Sequence, residues 1–218
     1  MTRSCALIAA TMLAAFAAAA APETSASPAS PEHWSVATGE TVSPDRDAIA
    51  FAAGWPGISF TYLHGTSDRS DVGLKLDVLY AFENTTDTAF GAGLDVPLRL
   101  VVNRSDRVSV GLQVEPGLRI YTRNSQTDFM TRFPVSGVVG IQATPVLRLG
   151  AFAGLTMAVN WTHTQFFEIG PQFGLTGEYM VDRNLMVGLD AKFGPQFYTS
   201  NSSSALAFTA QILIGYRM

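Results

Sequence analysis

From about residue 48 onward, apolar and polar side chains alternate with a period of two. The stretch 107–122 shows it most clearly. Val108, Val110, Leu112, Val114, Leu118 and Ile120 share one parity, and Arg107, Ser109, Gln113, Glu115 and Arg119 share the other. Successive side chains of a β-strand point to opposite faces, so such a segment has one apolar face and one polar or glycine face. The same alternation recurs in the stretches that follow Asp71, Phe90, Leu147, Phe167, Leu185 and Leu206. These segments run to roughly 12–16 residues, against about 5–6 for an average strand. Length and alternation together predict strands that cross a bilayer.

Eight such segments lie between Asp71 and Met218. Residues 48–54 and 58–63, joined at Trp55-Pro56-Gly57, add two more. Ten strands is therefore the reading; setting residues 48–64 outside the wall gives eight. The connections 103–106, 143–146 and 181–184 are tight, whereas 83–88, 122–131, 162–166 and 199–204 are longer or more polar. Outer-membrane barrels have short periplasmic turns and longer outer loops. The expected fold is all-β, a transmembrane antiparallel up-and-down β-barrel with short periplasmic turns and a periplasmic C-terminus. The rival is a soluble lipocalin-type barrel with its apolar face inward. Its exterior would need lysines and glutamates where the polar face here carries glycines. The aromatics Phe82, Phe90, Phe133, Trp161, Phe167 and Phe197 fall near one set of strand ends, and Tyr62, Tyr179 and Tyr216 near the other. Two interfacial girdles are expected from that spacing.

Composition agrees with this pattern. The 218 residues are 47% hydrophobic and 15% charged, yet no apolar run after residue 21 approaches the roughly 20 residues of a membrane helix. Every second residue facing lipid accounts for both facts. The net charge is −4, with Lys75 and Lys192 the only lysines, so nothing points to nucleic acid. Residues 1–21 read as a signal peptide: Arg3, an apolar stretch, then an alanine run. The one cysteine, Cys5, falls within it, leaving an exported chain without disulfides, thiol chemistry or cysteine-bound metal. Residues 22–47 are rich in Pro, Ser and Thr, lack periodicity and read as a flexible leader. Residues 48–218 form the barrel. One local echo stands out: Gly170-Pro171-Gln172-Phe173 recurs as Gly194-Pro195-Gln196-Phe197 one hairpin later.

The C-terminal stretch from Phe208 to Met218, with Tyr216 two residues before the end, is similar to the insertion signal of outer-membrane barrels. With the alternation over residues 48–218, the chain resembles the small bacterial outer-membrane β-barrel proteins of the broad outer-membrane β-barrel domain kind. That resemblance implies a Gram-negative outer membrane, contact with its lipid, and insertion by the barrel-assembly machinery. A monomer is expected.

With the apolar face outward, the lumen receives Lys75, Asp77, Asp95, Arg99, Glu115, Arg119, Arg148, Glu168, Glu178, Asp190 and Lys192, six acids and five bases. Charges taken out of water must be paired, so a charge network is expected. It would be either a packed polar filling or a narrow, porin-like path for small solutes. Inward glycines, including Gly73, Gly93, Gly111 and Gly150, are expected to make room for its long side chains. Phe129, Met130 and His163 are candidate outer-loop contacts for an adhesion or binding protein on the same scaffold. A lipid-modifying enzyme would need a nucleophile, a base and an orienting acid within reach. His163 near Glu168, and His64 near Ser67 and Asp68, have no recognisable spacing for that. No metal, phosphate or nucleotide motif is present, and no cofactor is expected.

Overall fold

The computed structural model describes residues 34–83, 88–123, 126–162, 166–199 and 203–218. Thirteen strand segments appear: β1 (Asp47–Trp55), β2 (Gly57–Ser67), β3 (Ser70–Ala81), β4 (Thr88–Asp95), β5 (Leu98–Arg104), β6 (Val108–Val114), β7 (Gly117–Arg123), β8 (Gln126–Arg132), β9 (Val135–Gln142), β10 (Leu147–Asn160), β11 (Phe166–Met180), β12 (Leu185–Tyr198) and β13 (Ser203–Arg217). They make ten barrel strands, because β4/β5, β6/β7 and β8/β9 are each one strand broken near its middle. Pro97, Pro116 and Pro134 sit at the breaks. Proline has no N–H for the ladder, so mid-strand pairing lapses there. Neighbouring strands still bridge the gaps: Val96 N–H donates to Pro116 O (2.9 Å) and Glu115 N–H to Pro134 O (3.0 Å).

All neighbours are antiparallel, and β1 pairs with β13 from Ala48↔Arg217 to Trp55↔Ala210, which closes the wall. Residues 47–67 supply two wall strands, so the ten-stranded reading holds and the eight-stranded one does not. The turns at 68–69, 105–107, 143–146 and 181–184 gather at one end, with Asp47 and Met218. This is called the terminal end below, and the opposite end the far end.

The outer wall is apolar, as the parity requires. Leu76 (50% exposed), Val78 (53%), Leu175 (69%), Leu206 (62%) and Ile212 (61%) all face outward. Tyr62, Tyr179 and Tyr216 ring the terminal end, and Phe90, Trp161 and Phe197 the far end, all exposed. Phe82 departs from the expected girdle. It turns inward onto buried Tyr121, ring centroids 4.5 Å apart.

Of the stretch 22–47, read as a flexible leader, the structure describes residues 34–47. Residues 34–46 are not a free leader. Trp34, Ser35, Thr38, Glu40, Thr41 and Val42 are buried inside the terminal end of the barrel. Residues 1–33, including the signal-peptide stretch, lie outside the described residues.

Candidate functional site: a polar lumen crossed by the N-terminal segment

Residues 34–46 run around the inner wall from the β12–β13 side to β1. Trp34 starts the path: its indole N–H donates to Arg183 O (3.1 Å), and the Arg217 guanidinium lies 5.9 Å over its ring. Trp34 and Val42 pack with Ala48, Leu63, Met186 and Leu213 in a small apolar cluster. Glu178 then takes three hydrogen bonds, from Val36 N–H (2.9 Å), Ala37 N–H (2.7 Å) and the Thr38 hydroxyl (2.7 Å). Further on, Asp71 accepts from Val42 N–H (2.8 Å). Arg99 holds Asp71 through two bonds, Nε at 2.7 Å and Nη2 at 2.5 Å, and its Nη1 donates to the carbonyls of Ser35 (3.0 Å) and Val36 (2.7 Å). Glu40 pairs with Arg104 at 2.6 Å. Five backbone groups of this segment without regular secondary structure, the N–H groups of Val36, Ala37 and Val42 and the carbonyls of Ser35 and Val36, are thus bonded by wall side chains, as a buried backbone group requires.

Glycines make the seat. A Cβ at Gly140 would lie 1.9 Å from Thr38 O, one at Gly65 2.1 Å from Ser43 O, and one at Gly111 3.0 Å from Gly39 O. Gly39 itself has φ of +80°. Gly93 does what the sequence reading expected, since a Cβ there would meet Arg119 Nη1 at 2.2 Å. Gly111 and Gly150 instead face the inserted segment.

Above the segment lies a second group of charges. Arg119 pairs with Asp95 at 2.5 Å and with Asp77 at 2.6 Å, all three buried. Arg132 pairs with Glu83, Lys192 pairs with Asp190 at 3.1 Å, and Gln196 donates to Glu168. Lys192 Nζ also sits 5.0 Å over the Phe152 ring. Lys75, Gln113, Glu115, Asp190 and Lys192 line two small cavities of about 80 and 90 Å³, each with space for only a few waters. Arg148 lies apart from this group, lining a wider cavity of about 630 Å³ at the terminal mouth with Trp34, Arg183 and Arg217. Glu83 is in the connection after β3. Burial raises its carboxyl most strongly of any one cause, but the charges of Arg132, Arg119 and Lys75 and the Arg132 hydrogen bond together outweigh it and hold the group below the ordinary glutamate value.

All eleven expected lumen charges face inward, but they do not form one network. Arg99 and Glu178 anchor the inserted segment, Asp77, Asp95 and Arg119 form a separate cluster, and Arg148 stands at the mouth. The sequence reading missed Asp71, Glu40, Arg104, Glu83 and Arg132. Asp71 shares the parity of Gly73, Lys75 and Asp77, so its inward position was legible. Arg104 was not, because the register shifts between Val101 and Asn103 and turns it inward. Arg132 was hidden because residues 122–131 read as a loop. In fact β7 and β8 stay paired up to Arg123↔Gln126. Phe129 and Met130 are consecutive on β8, so they do not form one exposed pair. Phe129 points outward, and Met130 packs inward on the Leu79, Ala89 and Tyr121 cluster. His163 lies outside the described residues. His64, at the terminal end, has Nδ1 2.8 Å from Asp47 Oδ1, which also accepts from the Tyr62 hydroxyl at 2.7 Å. Ser67 bonds to Ser70 instead.

These features define a class: a closed ten-stranded antiparallel up-and-down β-barrel with an apolar outer wall and a charge-paired lumen crossed by its own N-terminal segment. No protein-family model and no curated protein matches the chain. Among solved structures it is similar to Ail, the attachment invasion locus protein of Yersinia pestis, at 10% identity and a TM-score of 0.25, covering 79% of this chain and 94% of that one. It is also similar to a chain from "Unveiling the Mechanism Behind the in-meso Crystallization of Membrane Proteins", at 11% identity and a TM-score of 0.28, covering 79% of this chain and 82% of that one.

Proposed function

We propose that this protein is an integral outer-membrane β-barrel whose lumen is occluded by residues 34–46, so that it serves as a closed structural wall element and not as a standing pore. The supporting observation is the pairing of an exposed apolar outer wall with a filled polar interior. In water, a continuous exposed band of Leu, Val, Ile and Phe is an aggregation liability. In hydrocarbon it is the required surface, and a closed barrel leaves no strand edge unpaired. Strands β10 to β13 have 14–15 residues, more than the roughly 9–11 needed to cross. The short turns and both described chain ends then face the periplasm. Export by a signal peptide, insertion by the barrel-assembly machinery and a monomeric state belong to the same reading.

A second reading, passage of small solutes, draws on the two small cavities above the inserted segment. It requires that segment to leave. Membrane fractionation with gel mobility before and after boiling tests the main proposal. A carbonate-resistant membrane band whose mobility shifts on boiling is expected. A soluble band with unchanged mobility overturns it.

A further inference from the structure

The cavity of about 630 Å³ at the terminal mouth holds a positive charge that the wall leaves without a counter-ion. It is bordered by the turns 143–146 and 181–184, and Arg148, Arg183, Arg217, Glu178 and Asp182 line it. In the register Arg148 lies between Gln142 on β9 and Glu178 on β11. Glu178 is therefore its natural partner, because opposite charges directly across a strand pair attract. Both Glu178 oxygens are turned to the inserted segment instead. Oε1 accepts from the N–H groups of Val36 and Ala37, and Oε2 from the Thr38 hydroxyl. Gln142 brings no charge. Glu40, whose charge also reaches Arg148, is paired with Arg104 at 2.6 Å. Asp182 accepts from Asn184 N–H (2.7 Å) and Leu185 N–H (2.8 Å) within its own turn. Arg148 Nη1 is left buried with no hydrogen-bond partner among the described residues.

A guanidinium taken out of water needs a counter-charge and acceptors for its N–H groups. One ligand can supply both here. Three arginines and two acids line the cavity, which leaves one positive charge in surplus. Arg217 is held in place, its guanidinium over the Trp34 ring and its Nη2 donating to Arg183 O at 3.3 Å. Pro145, Leu147, Met180 and Val181 add an apolar lining. The volume falls within the roughly 300–1,000 Å³ of small-molecule sites, which combine apolar walls with a few placed polar groups. A carboxylate or a phosphodiester matches the planar fork of arginine through two parallel N–H···O bonds. We propose that the terminal mouth binds a small organic monoanion, an oxyanion carried on an apolar body, with Arg148 as its counter-charge. The site needs only the terminal mouth and stands apart from the membrane reading above. Where that reading holds, the ligand comes either from the periplasm or from the headgroup of a lipid in the adjoining leaflet.

The test uses the full chain in an uncharged, phosphate-free maltoside detergent, with para-fluorobenzoate as the probe and fluorine NMR as the readout. Saturable binding is expected. The uncharged isostere para-fluorobenzamide should bind about tenfold more weakly or worse, the loss of at least one charge-assisted bond. Acetate, which has the charge without the apolar body, should displace the probe only at about tenfold higher concentration or above. Arg148→Gln, with its strand content unchanged by circular dichroism, should weaken the probe by about tenfold or more. Arg107→Gln, in a turn at the same end but outside the cavity, should change it less than twofold. Phosphatidylethanolamine, which has no net charge, is then mixed into the micelles. Displacement of the probe assigns the site to a lipid headgroup, and unchanged binding assigns it to a water-soluble ligand. No saturable binding overturns the site. So does equal affinity for the amide or for acetate, or an Arg148→Gln variant that folds and binds like the unaltered chain.

Discussion

Glu178 should hold the inserted segment in place, and the size of its contribution can be worked out. Its carboxylate accepts two backbone amides and one hydroxyl from residues 36–38, all at 2.7–2.9 Å. Hydrogen bonds to a charged group each contribute about 1.5–3 kcal/mol net. Ala37 N–H retains Ser35 Oγ at 3.1 Å, and the freed groups lie near the terminal mouth, so the net loss is that of two bonds at the low value. A loss of about 3 kcal/mol corresponds to roughly 100-fold more released segment, at about 1.4 kcal/mol per tenfold. Thr41→Cys in a Cys5→Ser background is a suitable reporter, since Thr41 is 2% exposed and its hydroxyl makes no hydrogen bond. Reaction with a bulky maleimide should be slow in this chain and roughly 100-fold faster after Glu178→Ala. Glu178→Ala that still shifts on boiling but changes the labelling rate less than twofold would refute the anchoring argument.

Gly140→Ala should displace the segment or cost a few kcal/mol, because its Cβ meets the Thr38 carbonyl at 1.9 Å, whereas Gly177→Ala, with nothing nearer than 3.6 Å, should stay within about 0.5 kcal/mol. Thermal unfolding in detergent compares them, and equal costs would contradict the seat. Asp95→Ala leaves Arg119 buried with Asp77 alone and should cost about 3–5 kcal/mol in denaturant unfolding; a loss under 1 kcal/mol would show that the pair contributes little. Glu83 is held below its ordinary value, so its contribution is complete above its unfolded value of about 4.3 and is lost as pH falls through the lower folded value. The stability gap between the unaltered chain and Glu83→Gln should therefore be full at neutral pH and close in strong acid. A gap that is constant with pH would assign it to packing.

The barrel was legible because lipid-facing parity writes itself on every second residue, and a break such as Pro116 does not disturb parity over 107–122. The lumen charges followed from the same parity. Residues 34–46 were not legible. They have no period, and their Ser, Thr and Pro content is that of a free linker. Their fit depends on glycines 65, 111 and 140, on β2 and on the paired strands β6 and β9, each of which seats a different residue of the segment. Arg104 escaped for a local reason, the bulge before it, and Arg132 because a polar hairpin tip looks like a loop. The Gly-Pro-Gln-Phe repeat was visible in the sequence, but only the β11–β12 register, which sets Pro171 opposite Pro195, shows that its prolines face each other.

Planar-bilayer recording bears most directly on the claim of a membrane barrel closed by its own N-terminal segment. The intact chain should insert without conductance steps, and a chain lacking residues 34–46, shown to be folded by its heat-modifiable mobility, should give them. Steady open steps from the intact chain, no different from those of the deletion, would contradict the account.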